Sequence, residues 1–112
     1  TKFGEDDHRN FNIDGSKHNL SETFAGVNFD VGLEFVEELK KILPKNFTLS
    51  ELALKWILMH DEVTVVIPGA INSKQVRENT LVSDKEAISD IMPQIKTIYE
   101  KYIKDDVHHR WL

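Results

Sequence analysis

Cysteine is missing altogether. That rules out a disulfide framework and any cysteine-ligated metal, and it is compatible with a reduced, cytoplasmic setting. Cations are in deficit, with 14 Lys and Arg against 19 Asp and Glu for a formal net charge of −5. A surface for nucleic acid or an anionic membrane needs clustered cations, so neither partner is expected. No apolar run is long enough to cross a bilayer, and the first residues lack the pattern of a signal peptide. Internal repeats and low-complexity tracts are absent as well. The 112 residues suffice for one small domain, and the 40% of apolar residues suffice for a core.

The chain divides into two parts. Residues 1–27 are polar and aperiodic, with Gly4, Gly15 and Gly26 among many charges. They read as an irregular loop segment, and Phe3, Phe11, Phe24 and Phe29 are scattered anchors for it. Residues 28–112 read as helix-helix-strand-helix-helix. Phe29, Leu33, Val36, Leu39 and Leu43 recur at helical steps, with Asn28 or Asp30 as a cap and Pro44 beyond the end. Thr48 and Glu51 are spaced as a capping box for a second helix. Leu49, Leu52, Ala53, Trp56 and Ile57 form its apolar stripe, Leu54 and Leu58 a second face, and Lys55 is nearly its one polar residue. Such a helix is expected to be buried on most sides.

After a turn at Asp61-Glu62, the run Val63-Thr64-Val65-Val66-Ile67 is β-branched without alternation. It predicts one short central strand of a parallel sheet, covered on both faces. No second strong strand exists in the chain, and one strand cannot satisfy its own backbone groups. The chain therefore reads as a piece of a larger α/β protein. A short helix is expected over about Ser73 to Leu81, capped by Asn72 with Gln75 at its third position. A last helix is expected from about Asp90 to Ile103, capped by Ser89, with Pro93 near its first turn. Val107 to Leu112 reads as irregular.

The chemistry concentrates in "VVIPGAINSKQVREN", Val65 to Asn79. A helix start directly after the end of a buried strand is a site for phosphate, because unpaired amides and the helix dipole point there. Gly69 and Ala70 leave room for close backbone approach. Asn72, Gln75 and Arg77 are neutral or positive donors, and Glu78 and Asn79 suit an adenine edge. By spacing alone the stretch reads equally well as a turn, a cap and a solvated helix face. Elsewhere His108-His109 has no companion at metal-ligand spacing, and no metal is expected. His60 follows a helix end, where an imidazolium suits the dipole. Tyr99 and Tyr102 lie on an apolar stripe as core or rim residues. Glu5-Asp6-Asp7 reads as a solvated loop.

The block "LSELALKWILMHDEVTVVIPGAINSKQVREN" resembles the C-terminal part of the aldo-keto reductase family. The likeness is carried by the Leu-, Ala- and Trp-rich helix around Leu52 to Ile57, by Ile67-Pro68-Gly69, and by Gln75 with Glu78-Asn79. "FAGVNFDVGLEFVEELKKILP" upstream and the tail "IYEKYIKDDVHHRW" are similar to bacterial members. The resemblance implies a TIM barrel as the parent α/β fold. This chain would then be a C-terminal fragment, mainly α-helical with one short buried strand, unable to close a barrel alone. It implies NADP as the cofactor of the intact enzyme, which would reduce aldehydes and ketones, and an inactive fragment. Ile67, Pro68, Gly69, Ala70, Ile71, Asn72, Gln75, Glu78 and Asn79 are the implied cofactor contacts. Gly69 to Asn72 would run along the adenosine phosphate, Gln75 near the ribose-phosphate, and Glu78 and Asn79 at the adenine. Many relatives have a basic or hydroxyl residue where Ile71 stands, or Arg where Gln75 stands. Here Arg77 or Lys74 would have to compensate.

The family's catalytic Asp, Tyr, Lys and His lie in the first part of its barrel, and nothing here matches their motifs. No catalytic residue is therefore expected in this chain. Its expected partners are the missing N-terminal barrel portion or a second copy meeting its exposed apolar faces. The alternative is a non-catalytic nucleotide-binding or self-associating helical module.

Overall fold

Asn28 starts the first helix as its spacing predicts. Its Oδ1 accepts from the amides of Asp30 (2.9 Å) and Val31 (3.4 Å). Those amides have no carbonyl inside the helix to bond. The preceding Gly26 takes φ 83°, a left-handed turn that a side chain would strain. The computed structural model describes Glu5 and residues 26–111, with only the backbone of 110 and 111. The anchors Phe3, Phe11 and Phe24, and most of the loop expected over 1–27, lie outside those residues.

Among the described residues five helices follow one another: α1 (Phe29–Ile42), α2 (Leu49–Leu58), α3 (Ser73–Leu81), α4 (Met92–Tyr102) and α5 (Lys104–Val107). Short 3-10 turns occupy Val82–Asp84 and His108–Trp111. The chain divides into two units, one of Thr1–Glu38 with Thr97–Leu112, the other of Leu39–Lys96.

The Leu39–Lys96 unit holds a core of Phe47, Leu52, Ile88, Ile91 and Ile95, with Leu39, Ile42, Leu43, Met59 and Met92 packed on it. A capping box fixes the start of α2 within this unit. Thr48 Oγ1 accepts from the Glu51 amide (3.1 Å), and Glu51 Oε1 accepts from the Thr48 amide (2.9 Å). Two orphan donors are satisfied reciprocally. Glu51 Oε2 also lies 3.1 Å from Lys85 Nζ, and Lys85 Nζ sits 4.7 Å over the Phe47 ring and donates to the Asn46 carbonyl. The bond from the Thr48 amide, and then the nearby Lys85, hold the Glu51 carboxyl below the usual glutamate range against the opposing effect of partial burial.

In the other unit, Val107 of α5 is buried. Tyr99 Oη lies 3.1 Å from Nδ1 of His108. Tyr99 and Tyr102 are half-buried, as rim residues are.

Four expectations are corrected. The buried strand over Val63–Ile67 is not formed: no strand occurs among the described residues. Val65 is 67% exposed and Ile67 89%. β-branched residues favour a strand only where a neighbouring strand completes the ladder, and no described segment offers one. With no strand, the chain cannot close a barrel. Second, α2 is not buried on most sides. Its buried residues are Leu52 and Lys55, while Ala53 and Trp56 are exposed. Third, α4 begins at Met92 rather than near Asp90, after a turn in which the Ile91 amide bonds the Ile88 carbonyl (3.1 Å). An earlier start, with Ser89 as cap, would set the Pro93 ring against a helical carbonyl; from Met92 it falls at the second position, where no amide is needed. Fourth, the described residues from Val107 to Trp111 are helical and not irregular, as the end of α5 and the His108–Trp111 turn.

Candidate functional site

α3 starts where the sequence places it. Asn72 has extended backbone (φ −152°, ψ 166°), and its Oδ1 accepts from the Gln75 amide at 2.9 Å. Gln75 reaches one residue further back than a capping box would. Its Oε1 accepts from the Ile71 amide at 2.8 Å. One turn on, Asn79 Nδ2 donates to the Gly69 carbonyl at 3.3 Å. Three of the residues read as cofactor contacts therefore fold the 69–72 loop back onto α3. Each has a partner within the chain, so the loop is shaped before any ligand arrives.

The remaining candidates stand outward. Ile67 is 89% and Ile71 90% exposed, and Pro68, Gly69, Ala70 and Glu78 are exposed too. The Glu78 carboxylate lies 3.8 Å from Lys74 Nζ, one turn back on the same helix. A Cβ added to Gly69 would have no neighbour within 4 Å, so the room at this glycine faces outside the chain. The amides of Ser73 and Lys74, in the first turn of α3, have no carbonyl four residues back within the helix. The arrangement offers an approaching anion backbone donors on a helix start, with open access at Gly69. It places no charged side chain at 71 or 75.

Beside this loop lies a cavity of about 450 Å³. Leu54 and Leu58 of α2 form one wall, Thr64 to Val66, Pro68 and Ala70 another, and Val76, Asn79, Thr80 and Ser83 the rest. Its walls are mostly apolar. Among the described residues no group of three His, Asp or Glu side chains is disposed to hold a metal. His60 has the structural place read for it. Its Nδ1 lies 2.8 Å from the Trp56 carbonyl, and its ring packs edge-on to the indole at 4.5 Å.

Sequence reasoning missed Lys55. By sequence it reads only as nearly the one polar residue of an apolar helix, with no role, yet it is buried, with 8% exposed. Its Nζ donates to the carbonyls of Lys85 (2.6 Å) and Ser83 (3.4 Å). The available signal was the isolation itself: a long stem in apolar surroundings, ending in a donor that needs acceptors.

No helix among the described residues is long and apolar enough to span a membrane. No curated protein and no solved structure gives a match to the chain. The family model described as "Aldo/keto reductase family" matches residues 2–100, which takes in the capped α2, the Ile67-Pro68-Gly69 turn and all of α3. On that match the chain belongs to the aldo/keto reductase family.

Proposed function

We propose that residues Ile67 to Asn79 hold the adenosine-phosphate end of NADP(H) in an intact aldo-keto reductase. This chain would be the C-terminal portion of that enzyme. The family's domain points to oxidoreductase chemistry, its members generally bind NAD(P)H, and its parent fold is a TIM barrel. Such a barrel takes about 250 residues, and no strand of it is formed among the described residues. The observation that carries the reading is the 69–72 loop tied to the first turns of α3 by Asn72, Gln75 and Asn79. It supports close approach of a phosphate to the Gly69 backbone and the first amides of α3. Glu78 and the remaining polar atom of Asn79, Oδ1, are then within the same helix for the adenine.

Bound NADP(H) supplies the hydride for carbonyl reduction. What this chain contributes is binding and orientation at the far end of the cofactor. A proton donor at the carbonyl oxygen, worth roughly 10²–10⁴-fold in rate, belongs to the missing part of the barrel. The isolated chain is accordingly inactive, and a cysteine-free sequence suits a cytoplasmic enzyme. The exposure of Val65, Ile67, Ile71, Val76 and Leu81 favours a second reading, a helical module that associates with itself through these side chains.

The test uses Ile71 rather than Gln75. Arginine at 75 could not accept from the Ile71 amide and would release the loop. Ile71 is 90% exposed, so Ile71→Lys adds a cation beside the loop and removes nothing buried. In the intact enzyme the preference for NADPH over NADH, measured as a ratio of kcat/KM, should rise about tenfold, the scale of one charge-assisted hydrogen bond. An unaltered ratio places the 2′-phosphate elsewhere and sinks the reading.

A further inference from the structure

No residue of α3 is fully buried. A helix with no buried side chain has only a weak apolar anchor, so its position depends largely on what grips its two ends. The N-terminal end is gripped by the loop ties from Asn72, Gln75 and Asn79. These bind α3 to its own preceding loop, and not to the core. The other end runs straight into the Val82–Asp84 turn, and there the chain meets α2. Val82 is fully buried, and Lys55 Nζ bridges the Ser83 and Lys85 carbonyls. Lys85 returns a second tie to α2 through Glu51, but that pair is partly exposed. The buried ammonium is the stronger of the two, because hydrogen bonds from a charged donor gain when water is excluded.

We propose that Lys55 is the positioning residue of α3: its ammonium locks the turn after α3 to α2, and so sets where the first turn of α3 presents its amides. The link to cofactor binding rests on the reading given under Proposed function. The lock itself does not. The hydrogen bonds of Lys55 go to Ser83 and Lys85, and to none of the candidate contacts. Its effect runs through the orientation of one helix.

The test compares Lys55→Met and Lys55→Arg with the unaltered full chain. Met keeps most of the apolar stem and removes the donor. Arg restores a permanent cation with several donors. Amide hydrogen exchange is followed helix by helix, and adenosine 2′,5′-bisphosphate is titrated into each protein. In Lys55→Met, exchange in α3 and in the turn over 82–85 should speed up by about tenfold, the scale of one hydrogen bond to a charged group. Exchange around Leu52 of α2 and Ile95 of α4 should stay within about twofold, since separate cooperative units open separately. Binding of the bisphosphate should weaken by a similar factor of about ten, and Lys55→Arg should recover most of both.

Unchanged exchange in α3 overturns the proposal. Equal acceleration in every helix also overturns it, because that outcome marks general stability. If Lys55→Met does not fold, Lys55→Gln, with a neutral amide donor, takes its place under the same criteria. If the unaltered chain fails to bind the bisphosphate, the cofactor reading falls, while the exchange pattern still decides the lock.

Discussion

Two stretches of the Leu39–Lys96 unit have similar apolar content and opposite fates. Around Leu52, local signals and packing agree. Thr48 and Glu51 start the helix, and Leu52 (2% exposed) closes on Phe47, Ile88, Ile91 and Ile95. Around Ile67, local preference has nothing to agree with. The run Val63 to Ile67 is the most strand-like in the chain, yet it forms no strand, and Val65 and Ile67 face outward. The difference teaches that a helix with a cap and a three-dimensional neighbour within its own chain is autonomous. A central strand is not, because its backbone hydrogen bonds are completed only by other strands. Among the described residues no segment supplies those strands.

The comparison can be broken most easily at the core. Leu52→Ala should cost about 2–5 kcal/mol, the usual range for emptying a well-packed leucine site. Urea unfolding of the isolated chain, followed by helical circular dichroism, measures it. A loss under about 1 kcal/mol would mean that the cluster around Phe47 is no better packed than the surface, and the contrast with Ile67 would disappear.

A smaller effect is expected at the start of α2. Thr48→Ala removes the acceptor for the Glu51 amide and should cost about 1 kcal/mol, in the range of N-cap replacements. The same measurement on Asn72→Ala should give a smaller loss of global stability. Asn72 caps a helix with no fully buried residue, so its opening should be local rather than global. Equal losses at the two caps would show α3 to be as tightly coupled to the core as α2.

Acid should weaken the cap of α2 in a definite direction. The carboxyl of Glu51 is held below the ordinary glutamate range, first by the bond from the Thr48 amide. A depressed folded value means that the unfolded chain takes up this proton first as pH falls. Glu51 therefore adds stability above the unfolded glutamate range, and the addition is lost as pH drops through that range to the folded value. Glu51→Gln can still accept from the Thr48 amide, but it gives up the charge facing Lys85. Its unfolding free energy should vary less between pH 6 and pH 3 than that of the parent, as read from urea midpoints at each pH. Identical pH slopes would remove Glu51 from the acid response.

The sequence made the caps legible and left the strand undecided, for one physical reason. Asn28, Thr48, Glu51 and Asn72 act on amides two or three residues away, so their meaning is contained in a short window. The start of α4 was misjudged by two residues because Pro93, rather than Ser89, decides where the first turn can close. The role of Lys55 was not legible because its acceptors, Ser83 and Lys85, lie 28 and 30 residues away. The loop ties were half legible. Asn72 as a cap follows from spacing, while the reach of Gln75 to Ile71 and of Asn79 to Gly69 depends on how the loop turns back.

The smallest expected effect is at Ile67, and it carries the contrast furthest. Ile67 is 89% exposed, so in the isolated chain Ile67→Ala removes surface that water already covers. Its unfolding free energy should change by less than about 0.5 kcal/mol, as for surface positions generally. In the intact enzyme proposed above, the same side chain would end a strand covered on both faces. There the substitution should cost about 2–5 kcal/mol, as for a buried isoleucine. The pair of measurements isolates what the rest of the barrel contributes at one residue. A cost above about 1 kcal/mol in the isolated chain would show that Ile67 is already covered there, with a second copy as the cover expected from its exposed apolar neighbours. Sedimentation of the parent and of Ile67→Ala across a concentration series separates that case, because a covering copy dissociates on dilution and the excess cost vanishes with it.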